Sequence, residues 1–590
     1  MTRIAIVDNN KCKPNKCSKE CIKFCPPQSL GKQVIDIEDI GNNIKSAKIS
    51  EILCIGCNIC VNKCPFDAIK IVNLPSEINK TMTFSYGHNK FRLYKLPAIK
   101  KNSICGIIGP NGCGKSTIIK ILSNELKPNF DNIQISDKEI IQKFRGTSLQ
   151  NYFSDLYNNK LKIIVKQQDI YALKGNYLNN DKLVSDYITH SNLSKAQDIN
   201  KLLNKKINQL SGGELQQVII YMTINTEADV YIFDEPSNYL DIKQRINIAK
   251  DIKLLLNHDK YIIVIDHDLA MLDYITDDIF IIYGESSAYG SSSICQSNLI
   301  GINNYLSGYI SSDNIRFRNY EYIFTNSSLE LKEDRFKNDI ITHYKDDIIK
   351  YPNFELTINS GSFDINSSIN IILGPNGTGK TTFIKWLSEN CSLSVSIKKQ
   401  SIDLKSIDLT VYEVLNKTIK NKLFDNTFIS DIIKPLDIDK LYKQKVSDLS
   451  GGEAQKLSIC ICLGKPAQIY LIDEPSANLD IEKRLTITNI IKKFIINSNK
   501  CAFIVEHDIM MAINFIKDIK NSVILCSSTE NNNTVHSKIK SYSSWKDGIN
   551  NFLNYMGITI RTDYTNGRPR INKHNSLLDK EQIKNNQYYN

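Results

Sequence analysis

Between residues 109 and 507 one series of motifs occurs twice, and its spacing leaves little freedom for the fold. GPNGCGKST (Gly109 to Thr117) and GPNGTGKTT (Gly374 to Thr382) both fit G-x4-G-K-[ST]. Each follows an apolar run of strand character (ICGIIG, NIILG) and opens an apolar helical run (IIKIL, FIKWL), the context in which such a loop cradles phosphate. Glycines let backbone N–H groups curl around an anion at a helix amino terminus, a lysine meets the outer phosphates, and a hydroxyl ligates Mg²⁺. The candidate phosphate-binding residues are Gly109, Asn111, Gly112, Gly114, Lys115, Ser116 and Thr117 in the first copy. In the second they are Gly374, Asn376, Gly377, Gly379, Lys380, Thr381 and Thr382.

Each copy continues with LSGGE, giving Ser211, Gly212 and Gly213, then Ser450, Gly451 and Gly452. An apolar strand ending in Asp-Glu-Pro follows, with Asp234 and Glu235 in one and Asp473 and Glu474 in the other. The serine lies 23 residues before the aspartate in both. His267 and His507 trail those aspartates by 33 and 34 residues, each after a strand-like run. A lone histidine is more often a core residue, but two in register with a duplicated series point to function. From Lys115 to Ser211 is 96 residues and from Lys380 to Ser450 only 70, so about 26 extra residues sit in the first copy. Lys138 to Lys162 reads as a helix, a break at Gly146 and a second helix. It is either a surface hairpin or a partner-docking element, the latter suggested by the cost of exposing Arg145, Tyr152, Phe153 and Tyr157.

Eight of the 16 cysteines fall within the first 64 residues. Cys54, Cys57, Cys60 and Cys64 spell C-x2-C-x2-C-x3-C before Pro65, and Cys12, Cys17, Cys21 and Cys25 form a looser version before Pro26. This is the run that holds [4Fe–4S] clusters, the fourth thiolate going to the other cluster. Crossing gives one set of Cys25, Cys54, Cys57 and Cys60 and another of Cys12, Cys17, Cys21 and Cys64. Two zinc sites and disulfides are the alternatives. Residues 1–80 carry 12 Lys and Arg against 8 Asp and Glu, an excess that two clusters of charge about −2 each would cancel. The other eight cysteines read as small core hydrophobes.

The 590 residues suit three or four packed units, with 42% hydrophobic residues for their cores. The apolar run from Tyr261 to Tyr283 is cut by Asp266, His267, Asp268 and Asp273, so no stretch reads as a membrane span. The amino terminus enters a strand-like pattern at once, and a cytoplasmic location with no membrane partner is the expectation. A net charge of +11 suits an anionic partner without choosing one.

The motif order resembles the ATP-binding-cassette family. Two cassettes behind an eight-cysteine segment are similar to its class E branch, the RNase L inhibitor or ribosome-recycling ATPases. CIGCNICVNKCPFDAI, FRGTSLQNYF, GYISSDNIRFR, GKPAQIYLIDEPSANLD and RPRINK extend the resemblance over nearly the whole chain. It implies an α/β fold: two tandem nucleotide-binding domains arranged head to tail, preceded by a small α+β ferredoxin-like domain. The domains expected are 1–75 with two clusters, 76–290 with the insertion at 138–162, a hinge at 291–325, the second cassette at 326–540 and a hinge segment at 541–590. The resemblance also gives roles. Gln168 and Gln400 would join Ser116, Thr381, Asp234 and Asp473 around Mg²⁺, and Tyr86 and Tyr344 would stack on adenine. Glu235 and Glu474 would polarise the attacking water, with His267 and His507 aligning it, while Asp241 and Asp480 would close the loops linking the sites. Site one would pair the first phosphate loop with Ser450 and Gly452, and site two the second loop with Ser211 and Gly213.

The function implied is ATP-dependent splitting of ribosomes into subunits after termination or rescue, by a monomer. Its expected partners are the small subunit and its rRNA, a release factor or a Pelota-type rescue paralogue, and initiation factors. Arg316, Arg318, Arg561, Arg568 and Arg570 in the hinges are expected to touch the cassettes or rRNA. Asp266 stands where the family has Glu, Gln217 where it has Arg and Asn478 where it has Tyr. The rival function is an ATP-coupled iron–sulfur electron carrier; a transporter subunit or a cluster-free translation factor would lack the eight cysteines.

Overall fold

The apolar runs that precede the phosphate loops become the central strands of two sheets. The computed structural model describes residues 3–39, 45–74, 82–131, 135–170, 178, 181–188, 197–324, 340–399, 407–516, 520–531 and 534–589. Strand Ser103–Ile108 lies parallel to Tyr261–Ile265 on one side and Asp278–Glu285 on the other. Val230–Asp234 and then Ile163–Lys166 continue the parallel order outward. In the second sheet Ser368–Leu373 takes the central place between Cys501–Val505 and Lys520–Asn531, with Ile469–Asp473 and Val395–Lys398 beyond. These strands are nearly unbroken Ile, Val, Leu and Phe because helices cover both faces. Each sheet gains antiparallel strands on its other flank, Tyr289–Ser292 in the first and Thr534–Tyr542 in the second. The parallel order places the phosphate loop, the Asp-Glu pair and the histidine at adjacent strand ends, where open α/β sheets bind ligands.

Two antiparallel ribbons, Arg3–Val7 with Ile69–Asn73 and Ile35–Asp39 with Lys45–Ile49, make the amino-terminal domain. Its apolar core is small, centred on Ala5, Val7, Val34, Ile35, Ile49 and Ile69. It rests on the loop following Phe84–Ser85: Asn89 Nδ2 donates to the carbonyls of Ala5 and Ile49 at 2.8 and 3.0 Å, and Ile49 N donates to Asn89 Oδ1 at 2.8 Å. Lys70 bridges to Glu285 and the Ser286 carbonyl, and Arg92 pairs with Glu51 at 2.9 Å.

The extra segment of the first cassette is indeed helix, break and helix: Asp137–Lys143, capped reciprocally by Ser136 and Glu139, then Ser148–Tyr157 after Gly146 at φ +81°. Its aromatic residues do not present a docking face. Tyr152 and Phe153 are fully buried against Tyr261 and Phe144, and Tyr157 stacks on Phe153. The aromatics therefore anchor the hairpin to the cassette, and only Arg145 of the four projects into solvent.

Two expected boundaries shift. Tyr289–Ser292 and Gln296–Ser297 belong to the first sheet, so residue 290 falls within a strand. Thr534–Tyr542 runs past 540, and helix Trp545–Met556 packs on the same sheet, where a side chain at Gly548 would strike Val523. The carboxy-terminal hinge thus starts after Met556. It meets the first hinge directly, through Phe324 N donating to the Asn566 carbonyl and Asn566 Nδ2 donating to Asn303 Oδ1. Arg318 is buried, donating to the Tyr305 carbonyl and to Glu482 of the second cassette at 2.7 Å. Arg568 and Arg570 converge on Asp273 of the first cassette, whereas Arg561 donates to Asn572 and Arg316 is exposed. No helix among the described residues is long and apolar enough to cross a membrane.

Candidate nucleotide sites and thiol clusters

Gly114 and Gly379 adopt φ +98° and +88° at the amino ends of helices Lys115–Leu122 and Lys380–Asn390, and a Cβ on either would strike an aromatic ring, Phe91 or Phe354. Only glycine turns the loop there so that its amides face one point. Lys115 Nζ reaches the Gly109 carbonyl at 2.6 Å and His267 Nε2 at 3.3 Å. Glu235 Oε1 lies 3.5 Å from the same histidine nitrogen, and Asn238 holds its other oxygen. Burial lifts Asp234 to about 7, helped by the adjacent Glu235 charge, so this carboxylate needs a cation. Burial, then Lys115 and Arg484, pushes His267 well below the usual range and keeps the imidazole neutral. Gln168 is exposed two residues past its strand. Tyr86 is also exposed, its hydroxyl 3.3 Å from Thr117 and its ring edge-on to Phe84, leaving a face free to stack.

The second site repeats the plan. Lys380 reaches the Gly374 and Pro375 carbonyls, and His507 Nε2 lies 3.2 Å from Glu474 Oε1. Thr381 Oγ1 donates to Asp473 Oδ2 at 2.9 Å, while Asp473 Oδ1 is buried without a hydrogen-bond partner. A hydroxyl and an orphaned carboxylate oxygen side by side suit Mg²⁺. Gln400 lies outside the described residues. Tyr344 does not suit adenine: its ring is buried among Phe363, Phe383 and Trp386 and its hydroxyl abuts Gly361. A partly exposed aromatic of the same cassette beside this phosphate loop is Phe354, which lines the cavity and was not legible from motif spacing.

The cavity of site two, about 980 Å³, is walled by both cassettes: Lys380, Thr381, Glu474 and His507 from one, Ser211 and Gly213 from the other. Ser211 and Ser450 cap helices Gly212–Asn225 and Gly451–Gly464 in reciprocal boxes with Glu214 and Glu453. Those helix amino termini add a positive dipole end to the far wall. Asp241 Oδ2 accepts from Asn376 N at 3.1 Å and the Tyr239 carbonyl from Asn376 Nδ2 at 3.2 Å, so the loop after the first Asp-Glu pair touches the second phosphate loop. A Cβ on Gly213 would lie 2.7 Å from that same carbonyl. In site one, burial lowers Lys115 and the opposite cassette's Asp480 is the largest charge opposing the shift.

Where the cassettes meet, Arg245 pairs with Asp268 at 2.5 Å and Arg484 with Asp508 at 3.1 Å. Each arginine Nε also holds a carbonyl of its own cassette, Leu240 or Leu479. Burial, then the charge of Asp268 across the interface, holds Asp508 above the ordinary carboxylate range. Asp266 does the work of the longer Glu506: both accept from a serine hydroxyl, Ser237 or Ser476, and from the amide of the aspartate two residues on. Asn478 holds φ +59°, close to the +64° of Tyr239, so that exchange leaves the loop shape intact. Gln217 is buried in its helix.

The thiols assemble as crossed sets. Burial, then the nearby Cys12, Cys64 and Cys17, lifts Cys21 to about 11, and all four line one cavity. Burial, then Cys54, Cys57 and Cys25, lifts Cys60 to about 12. Each group of four thus contains one cysteine from the other run, and its members oppose one another's ionisation until a cationic centre binds them. Ala47 N and Ala68 N lie 3.4 Å from the sulfurs of Cys12 and Cys64, the amide contacts that stabilise thiolate. The residues fit a four-thiolate cluster in each set.

Comparison with known families agrees. The family described as ABC transporter matches residues 97–238 and 358–477. A possible Fer4-like domain in RNase L inhibitor matches residues 2–32, and a 4Fe-4S binding domain matches 47–70. The chain is 42% identical to ABC transporter E family member 1 of Arabidopsis thaliana, over 100% of this chain and 99% of that protein. It is 42% identical to translation initiation factor rli1 of Schizosaccharomyces pombe, over 99% and 98%. Among solved structures, a model of ribosome-bound archaeal Pelota and ABCE1 matches with a TM-score of 0.89 and 38% identity, over 100% of this chain and 99% of that one.

Proposed function

Because the chain belongs to the ATP-binding-cassette E family of RNase L inhibitor proteins, we propose that it recycles ribosomes. It is an ATPase that separates the subunits after termination or rescue and stays on the small subunit into initiation. The Schizosaccharomyces pombe relative carries the name translation initiation factor, and the matching structure is a model of ribosome-bound Pelota and ABCE1. The observation that carries the reading is the combination of a cavity walled by both cassettes with a thiol-stapled domain pinned to one of them.

ATP lies between Lys380 and the Ser211 helix only when the halves are together, so its binding free energy favours closure and hydrolysis removes that bias. Glu235 and Glu474 take the proton of the attacking water, Lys115 and Lys380 meet the charge growing on the phosphoryl oxygens, and neutral His267 and His507 orient the water. Ser116, Asp234 and Gln168, or Thr381, Asp473 and Gln400, would hold Mg²⁺, which would supply further charge neutralisation. The signature residues Ser450, Gly451 and Gly452 complete site one, and Ser211, Gly212 and Gly213 complete site two. Two [4Fe–4S] clusters stiffen a domain whose own core is small, which lets it transmit force. The protein works in the cytoplasm as a monomer, with the small subunit and its rRNA, a release factor or its Pelota-type paralogue, and initiation factors as partners.

The test is sedimentation of intact ribosomes with a release factor, comparing wild type and Glu474→Gln in ATP. Wild type should yield separated subunits. The variant should bind ATP yet persist on the small subunit. Ribosomes left whole by active, cluster-loaded wild-type protein would refute recycling and favour ATP-coupled redox chemistry.

A further inference from the structure

Glu235 and Glu474 both sit at φ +49°, in the left-handed region that a glutamate occupies only when its surroundings hold it there. Each is followed by proline, which itself disfavours a helical conformation at the preceding residue. The amide sides are tied to the histidine strands, Glu235 N to the Ile265 carbonyl at 2.8 Å and Glu474 N to the Val505 carbonyl at 3.0 Å. The carbonyl sides are held by residues that no motif above includes. Lys166 Nζ donates to the Asp234 and Glu235 carbonyls at 2.9 and 3.2 Å, and Lys398 Nζ to those of Asp473 and Glu474 at 2.6 and 3.1 Å. From the other side, Gln216 Nε2 donates to the Glu235 and Pro236 carbonyls at 3.0 and 3.1 Å, and Gln455 Nε2 to those of Glu474 and Pro475 at 2.7 and 3.0 Å.

Both lysines are almost wholly inaccessible, at 1% and 2% exposure. A buried ammonium is costly, and a neutral side chain of equal length would fill the space more cheaply. Its appearance in both cassettes on the same two carbonyls points to a task. We infer that Lys166 and Lys398, each with its glutamine partner Gln216 or Gln455, are positioning residues for ATP hydrolysis that hold the strained peptide of the catalytic glutamate.

The consequence is directional. Turning that peptide out of the left-handed region would swing the Glu235 carboxylate away from His267, while leaving the phosphate loop untouched. Nucleotide binding should therefore survive and the chemical step should fail. Gln216 lies in the helix opened by Ser211, which serves site two, whereas the glutamate it holds serves site one. Gln455 makes the reverse link from the Ser450 helix. Each catalytic glutamate is thereby fastened to the helix that meets the other site's phosphate.

This rests on Glu235 and Glu474 being the water-polarising residues. The experiment is steady-state ATPase kinetics and thermal unfolding on cluster-loaded full-length protein. The variants are Lys166→Met/Lys398→Met and Gln216→Leu/Gln455→Leu, with Glu235→Gln/Glu474→Gln alongside. The lysine pair should lose at least tenfold in kcat with KM for ATP within twofold, and the glutamine pair should move the same way. A kcat within twofold of wild type in the lysine pair, or in the glutamine pair if the former does not fold, overturns the inference. So does a KM that rises in step with the fall in kcat. Turnover retained by the glutamate pair would instead defeat the underlying assignment.

Discussion

Removing the Asn89 side chain should loosen the thiol-stapled domain from the first cassette without unfolding either. Asn89 sits at φ +53°, so Asn89→Gly deletes the amide while adding no left-handed strain. Three hydrogen bonds of 2.8 to 3.0 Å disappear, all in a buried contact, so the Ile49 amide and the Ala5 carbonyl lose these partners and the Ile49 carbonyl keeps only its 3.2 Å contact with His88 Nε2. At a net value of about 1 kcal/mol each, the loss is roughly 3 kcal/mol, or more than 100-fold in the docked-to-undocked ratio. The Lys70–Glu285 pair, with both side chains over 40% exposed, contributes at most about 1 kcal/mol and cannot compensate. Hydrogen exchange provides the assay: protection of the Ile49 amide and of Val7, whose N donates to the Asn89 carbonyl, should fall about 100-fold. Lys70→Met should change either by less than about tenfold. Unchanged cluster absorbance in Asn89→Gly would show the domain itself intact. Protection within threefold of wild type would refute the docking role.

Anaerobically purified protein should hold about eight irons and eight labile sulfides. Cys25→Ser combined with Cys60→Ser should cost only one cluster, whereas Cys25→Ser with Cys21→Ser should cost both; iron analysis that finds the reverse rejects the crossed ligation. Tyr86→Ala should raise KM for ATP about tenfold with little change in melting temperature, while Tyr344→Ala should cost about 3 kcal/mol or more in thermal unfolding of the second cassette. A Tyr344→Phe variant with altered KM would restore that residue to the adenine site. At the cassette interface, a double-mutant cycle of Arg245→Ala and Arg484→Ala on ATPase activity should show coupling of about 1 kcal/mol or more, because the two ion pairs share one buried cluster. Strict additivity would show that they act separately.

What the sequence disclosed was whatever depends on local spacing. The phosphate loops, the capped signature helices and the crossed thiols follow from short-range patterns whose geometry tolerates few alternatives. Tyr344 shows where such reading stops: it stands on a strand upstream of its phosphate loop as an adenine-stacking aromatic should, but whether a ring is open depends on Phe363, Phe383 and Trp386 closing over it. Tyr152 and Phe153 make the converse case, since residues that suggested an exposed docking face are consumed in packing. The size of the insertion was also a net figure. Lys115 to Lys166 spans 51 residues against 18 from Lys380 to Lys398, whereas the stretch up to the signature serine is 45 against 52. Two differences of opposite sign had merged into one. Lys166 and Lys398 were unreadable because their partners are backbone carbonyls, which carry no residue identity.

The arrangement connects a domain with little apolar core to the first phosphate loop. Among the described residues, its attachments to the first cassette include the loop carrying Tyr86 and Asn89 and the turn at Glu285 and Ser286. Both belong to site one: Tyr86 touches Thr117 of the helix that the phosphate loop opens, and Ser286 packs where a Cβ on Gly112 would stand. A shift in those loops would therefore reach the docking surface within a few residues, through these hydrogen bonds. With clusters on its two thiol sets, the domain would have few internal freedoms in which to dissipate that shift. Apolar packing adds to these hydrogen bonds, since Ile4, Ile6, Val72 and Leu74 share one buried cluster with Tyr94 and Tyr289 of the first cassette, so the domain would follow the loops of site one as a packed unit.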